Sequence, residues 1–92
     1  MDNRNDKGAL WENFLFIERM KRNEYKRHLC SHYFWRTYTG AELDYVEDYD
    51  GELHGYEFKW QKKSKAPQTW LNTYDNADYQ LINKDNFVQF IT

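Results

Sequence analysis

The apolar residues fall into one long block at helical spacing, followed by short extended runs separated by turn residues. In the block, Ala9, Leu10, Phe16, Ile17 and Met20 share a face. Trp11, Phe14 and Leu15 make a second apolar strip beside it. This pattern predicts a helix over 8–27, apolar nearly all round in its first turns and charged from Glu18 to Arg27. Such a helix needs covering on more than one side, and a chain of 92 residues has little to cover it twice. Residues 1–7 are polar and are expected to form a disordered tail, with 8–92 as a single domain.

After His28 the period changes. Aromatic and β-branched residues over 33–39 predict a first strand, Gly40-Ala41 a turn, and 42–49 a second strand. Asp50-Gly51 is a hairpin signal leading into a third strand over 52–61, in which Gly55 marks a bulge or a close approach. A basic loop follows over 62–66. Pro67 suits the first turn of a helix, predicted over 67–74 and closed by Asp75-Asn76. A fourth strand is predicted over 78–82 and a terminal strand over 87–91. The first three strands should form an antiparallel meander. The connection through the second helix is a crossover, which places the fourth strand parallel to a neighbour. The predicted class is α/β, a mixed sheet flanked by helices.

Composition narrows the function. Lys and Arg number 13 against 15 Asp and Glu, a formal charge of −2. That balance argues against non-specific coating of nucleic acid, which needs an excess of cations, but leaves room for a local basic strip. Aromatics make up 20% of the chain, more than a small core readily buries. Some aromatic surface should therefore meet a partner or a second copy. Cys30 is the only cysteine, so no intramolecular disulfide forms, which fits a reducing compartment. No apolar run approaches the roughly 18–20 residues of a membrane span, and the polar start cannot serve as a secretory signal. The expectation is a cytoplasmic protein with no membrane partner.

The candidate chemistry lies on the second and third strands. Glu57 and Lys59 point the same way from an extended chain, with Tyr56, Phe58 and Trp60 opposite, and Asp44 shares a face with Glu42. In the right register, Asp44, Glu57 and Lys59 meet on one side of the sheet. Two carboxylates and a lysine can hold a hard divalent cation and position a water beside it. The plain alternative is a solvent-facing cross-strand ion pair, worth roughly 0.2–1 kcal/mol.

The element order, with an acidic residue on the second strand and Glu-x-Lys on the third, resembles the core of the restriction-endonuclease-like, or PD-(D/E)XK, nucleases. Gly8-Ala9-Leu10-Trp11-Glu12-Asn13-Phe14, Trp35-Arg36-Thr37, Gly40-Ala41-Glu42-Leu43-Asp44-Tyr45-Val46 and Glu57-Phe58-Lys59 together resemble the C-terminal domain of unknown function of a large group of bacterial and archaeal AAA-like ATPases. The resemblance covers most of 8–65 and weakens after Pro67. It implies a restriction-endonuclease-like core and an ATPase half on the same chain. The P-loop of that half, Gly-x-x-x-x-Gly-Lys-[Ser/Thr], does not occur here, so the chain is expected to be an excised C-terminal domain or a short gene product.

Carried over residue by residue, the resemblance makes Glu12, Asp44, Glu57 and Lys59 the candidate catalytic residues. Asp44 and Glu57, with the Phe58 carbonyl, would hold Mg²⁺ or Mn²⁺. Glu12 would hold a water on that cation or a second cation. Lys59 would orient the attacking water or stabilise the transition state. DNA or RNA is the implied partner. The competing reading is a catalytically inactive docking module that packs on the ATPase half or another protein. Taken alone, Glu12 is also an ordinary glutamate near a helix N-terminus, favoured by the dipole. Lys62, Lys63 and Lys65 are phosphate contacts or a solvated loop, and Arg36 is a phosphate contact or a strand-face cation. His28, Cys30 and His32 alternate and invite a zinc reading, although the pattern offers no fourth ligand.

Overall fold

The computed structural model describes residues 3–38, 40–60 and 66–92, of which 3–7 through the backbone alone. Helix α1 (Asn3–Tyr25) leads into the strands β1 (Ser31–Arg36), β2 (Glu42–Tyr49) and β3 (Glu52–Phe58). Helix α2 (Gln68–Thr73), strand β4 (Ala77–Ile82) and helix α3 (Phe87–Ile91) complete the order. The result is an α/β fold with one four-stranded mixed sheet, β1-β2-β3-β4, and three helices. The predicted meander is present: β1, β2 and β3 are antiparallel. The crossover through α2 returns β4 parallel to β3, as expected.

Local chemistry explains the joints. Asp50 and Gly51 both take positive φ, 52° and 80°, and Tyr49 pairs with Glu52 across them. This is the two-residue I′ geometry whose twist matches the strands. Pro67 stands at the N-cap of α2 with extended backbone. Trp70 then pins that helix to the sheet by donating Nε1–H to the Asp78 carbonyl at 2.9 Å.

The sheet is buried on both faces. Against one face, Leu15 of α1 and Phe90 of α3 cluster with Tyr45, Tyr56, Phe58 and Ile82. Against the other, Trp70 of α2 clusters with Leu43 and Val46. Gly55 lies where that second cluster closes. A Cβ there would stand 2.6 Å from Leu43 Cδ1 and 3.0 Å from the Trp70 ring, so the glycine is a close-approach site.

Two expectations are corrected. The segment 87–91 is a helix rather than a terminal strand. Phe87, Phe90 and Ile91, spaced i, i+3, i+4, pack together into the core, which is a helical period. Helix α1 begins ahead of Gly8, at Asn3, since nothing in 3–7 breaks a helix. As the shortage of cover implies, α1 leaves apolar surface outside: Leu10 is 69% exposed and Ile17 46%. The buried stripe runs instead through Leu15, Arg19 and Asn23, with Trp11 half-buried above them. Of the second apolar strip, Phe14 is 43% exposed while Leu15 is fully buried. No helix among the described residues is long and apolar enough to cross a membrane.

A buried ion pair sets that stripe. Arg19 donates Nε–H and Nη2–H to the two oxygens of Glu47 on β2, each at 2.8 Å. Its Nη1–H donates to the Phe90 carbonyl of α3 at 2.7 Å. Asn23 and the Tyr45 hydroxyl also donate to Glu47 Oε2, at 2.8 and 2.6 Å. The guanidinium lies over the Phe90 ring, 4.5 Å from its centroid. Burial by itself pushes the Glu47 carboxyl up; the hydrogen bonds from Arg19, Tyr45 and Asn23 outweigh it and hold the carboxyl at about 2.

Gly55→Ala is expected to cost about 1–3 kcal/mol in urea unfolding. Combined with Leu43→Ala, which removes the methyl it meets, the two losses should add to less than their sum. Glu47→Gln should cost roughly 3–5 kcal/mol, because it leaves Arg19 charged and uncompensated in a dry site. The folded carboxyl titrates below its usual 4.5, so the stability it contributes is complete above that value and is lost as the pH falls toward about 2. Urea midpoints measured from neutral pH downward should fall through that window in the parent. They should fall less steeply in the double variant Arg19→Met, Glu47→Leu.

Candidate functional site

The site is built where a β-bulge interrupts β2. Tyr33 pairs with Val46 and Trp35 with Leu43, so Phe34 alone opposes both Asp44 and Tyr45. Leu43 and Val46 accordingly face the same cluster under α2 although two residues separate them. The extra residue re-aims Asp44. Its carboxylate accepts a hydrogen bond from the Phe58 backbone N–H at 2.8 Å, closing the end of the β2–β3 pair. Asp44 then lines an open cleft of about 290 Å³ with Phe58 and with Ala9, Glu12, Asn13 and Phe16 of α1.

Electrostatics tie the predicted residues together. Burial pushes the Asp44 carboxyl up; the Phe58 N–H and the Lys59 ammonium pull against it, and Glu57 and Glu42 push it further. Glu12 is also pushed up, first by burial, then by Asp44, against Lys59, with Glu42 adding to the rise. Glu57 sits at the other side of the group. Its Oε1 accepts from the Tyr79 hydroxyl at 2.9 Å, and its Oε2 lies 3.9 Å from Lys59 Nζ. Tyr79 packs against the α2 cluster, whereas Asp44 lines the cleft with Glu12 of α1 on the other face. The expected meeting of Asp44, Glu57 and Lys59 on one side of the sheet is thus corrected: the carboxylates lie on two faces at the end of β3, and Lys59 is the charge that acts on both. Pure alternation could not foresee this, because the bulge breaks the period at Asp44.

The other candidates fall elsewhere. Lys62, Lys63 and Lys65 lie outside the described residues. Arg36 ends the edge strand β1, exposed, its guanidinium 5.0 Å from the Phe34 ring centroid. His28 and Cys30 precede β1, so strand alternation does not govern them. The group that joins them is Glu47: ligand atoms of His28, Cys30 and Glu47 all lie within 4.8 Å of one another. The His32 ring packs on Phe16 and Tyr45 instead, with centroids at 5.5 and 6.1 Å. Burial lowers the His28 pKa and raises that of the Cys30 thiol.

Residues 7–89 match a family described as a domain of unknown function, DUF4143. The chain belongs to the DUF4143 family. No curated protein and no solved structure matches it. The matched span of the DUF4143 domain takes in α1 from residue 7 on, with Glu12, and the whole β2–β3 hairpin with Asp44, Glu57 and Lys59. Sequence reasoning on the DUF4143 domain missed Glu47, Tyr79 and the charge of Glu42 on the cleft. Glu47 had a readable signal, since it shares the core side of β2 with Tyr45 at period two. Tyr79 had none, because its partner comes from another strand.

A raised carboxyl pKa means that the ionised form is disfavoured by the fold. The stability held by the protonated form is lost as the pH rises through the usual value to the raised one. In EDTA at neutral pH, Asp44→Asn should therefore leave urea stability unchanged or raise it by up to about 1 kcal/mol, since the amide oxygen still accepts from Phe58 N–H. Asp44→Ala removes that acceptor and should lower stability by about 1–3 kcal/mol.

Proposed function

We propose that this DUF4143 domain is a restriction-endonuclease-like module that takes Mg²⁺ or Mn²⁺ at Glu12, Asp44 and Glu57 and cleaves nucleic-acid phosphodiesters there. The observation that carries the reading is that Glu12 and Asp44 line one open cleft, both pushed up by burial and Glu12 also by the charge of Asp44, with the Lys59 ammonium pulling both down. Carboxylates crowded in this way are relieved by a cation, and an all-oxygen donor set suits a hard one. The Phe58 N–H holds the Asp44 carboxylate in a fixed orientation. Tyr79 does the same for Glu57. Lys59 presents its ammonium to a phosphate oxygen or to the attacking water. A divalent cation, when bound, neutralises charge on the phosphate and acidifies water. The order helix, meander, helix, parallel strand supports the same fold reading.

A second reading has its own observation. Leu10, Phe14 and Ile17, spaced i, i+4, i+7, form an exposed apolar strip on α1. It suits an inactive docking module that packs on an ATPase half or on another protein.

Calorimetric titration with Mn²⁺ and cleavage of single- and double-stranded DNA in Mn²⁺ decide between them. The first reading expects saturable binding that Asp44→Asn weakens by at least about tenfold. It also expects cleavage that Lys59→Met lowers by about 10²–10³ while Mn²⁺ binding persists. No heat of binding together with no cleavage would leave only the docking module.

A further inference from the structure

The geometry points to a separate site for a zinc-type cation, formed by His28, Cys30 and Glu47 where α1 ends against β2. The backbone builds it. Arg27 takes a positive φ of 56°, Arg27 N–H donates to the Glu24 carbonyl, and His28 N–H donates to the Asn23 carbonyl at 2.8 Å. This is the Schellman turn, which folds the chain back over the last turn of the helix. It returns His28 to the side of Asn23 and Glu47. The His28 ring packs against Tyr49, with centroids 4.1 Å apart and planes tilted by 35°.

The donor atoms are spaced for a shared ion. His28 Nε2 stands 3.8 Å from Glu47 Oε1, too long for a hydrogen bond and close to what a cation spans with two bonds of about 2 Å. Cys30 Sγ completes a group whose ligand atoms lie within 4.8 Å, so a contraction of about 1 Å brings all three onto one ion. Glu47 keeps capacity on the correct oxygen. Its Oε2 accepts from Arg19, Asn23 and Tyr45, while among the described residues Oε1 accepts a hydrogen bond from Arg19 Nη2 alone. Asn23 Nδ2 reaches both Glu47 Oε2 at 2.8 Å and Cys30 Sγ at 3.6 Å, orienting two ligands from behind.

Charge and softness choose the ion. Arg19 cancels the charge of Glu47, so the negative charge that attracts a cation comes from Cys30. Its S–H proton passes to solvent as the sulfur–metal bond forms. One sulfur, one nitrogen and one oxygen select Zn²⁺ over Mg²⁺. His28, Cys30 and His32 help to line a cleft of about 660 Å³, which would give water access to the fourth position.

Cobalt is the probe, because thiolate ligation gives a near-ultraviolet charge-transfer band that an all-oxygen site lacks. Reduced protein titrated with Co²⁺ should show that band, saturate at about one equivalent, and bleach when Zn²⁺ is added. Cys30→Ser should abolish the band, and His28→Gln should weaken Co²⁺ binding at least about tenfold. His32→Asn should leave both unchanged, and Asp44→Asn should leave the thiolate band unchanged whatever Co²⁺ the carboxylate cluster also takes, which separates this site from that cluster. Melting curves in EDTA establish that each variant folds, and His28→Gln carries the test should Cys30→Ser not fold. Absence of a thiolate band at saturating Co²⁺, a band that survives Cys30→Ser, or full-strength binding by His28→Gln would overturn the site.

Discussion

One buried ion pair orients the domain. Arg19 and Glu47 would each be costly alone in the core, so each requires the other, and their geometry leaves α1 little freedom about its axis. Hydrophobic content by itself would turn Leu10, Phe16 and Ile17 inward. The pair turns Leu15 and Asn23 inward instead and leaves Leu10 and Ile17 on the surface. Replacing such pairs with apolar residues is often neutral for stability. What this one contributes is a choice between two faces of a helix that are almost equally apolar.

That choice explains where the sequence could be read and where it could not. The sheet was legible because each strand is short, bounded by turn residues and joined locally; Asp50-Gly51 alone determines one pairing. The parallel return of β4 was legible because a helix has to fit between it and β3. The facing of α1 was not, since the deciding partner lies on β2 and is a charge, which a count of apolar positions discards. Phe87 to Ile91 was misread because so short an apolar segment shows its helical period only once Phe87, Phe90 and Ile91 are seen to share a face.

The candidate site was legible as a set of residues but not as an arrangement. Asp44 feels the charges of Glu57 and Lys59, Glu12 those of Asp44 and Lys59, and Glu57 and Lys59 form an ion pair at 3.9 Å. Their division, with Asp44 and Glu12 on one cleft and Glu57 held by Tyr79, depends on the bulge at Asp44 and Tyr45. A bulge adds one residue without any composition that marks it. The same strand thus serves two purposes. Its regular half carries Glu47 into the core, and its irregular end delivers Asp44 to the cleft.

The hydrogen bond from Arg19 to the Phe90 carbonyl ties the first helix to the last, across a sequence separation of 71. During synthesis α1 emerges first, with its cation prepared for a core that does not yet exist. The meander can assemble early from neighbours, yet the guanidinium gains the Phe90 carbonyl only when α3 arrives. Closure of this domain is therefore a late, long-range event in its folding, and the loop-closure entropy it must overcome spans most of the chain.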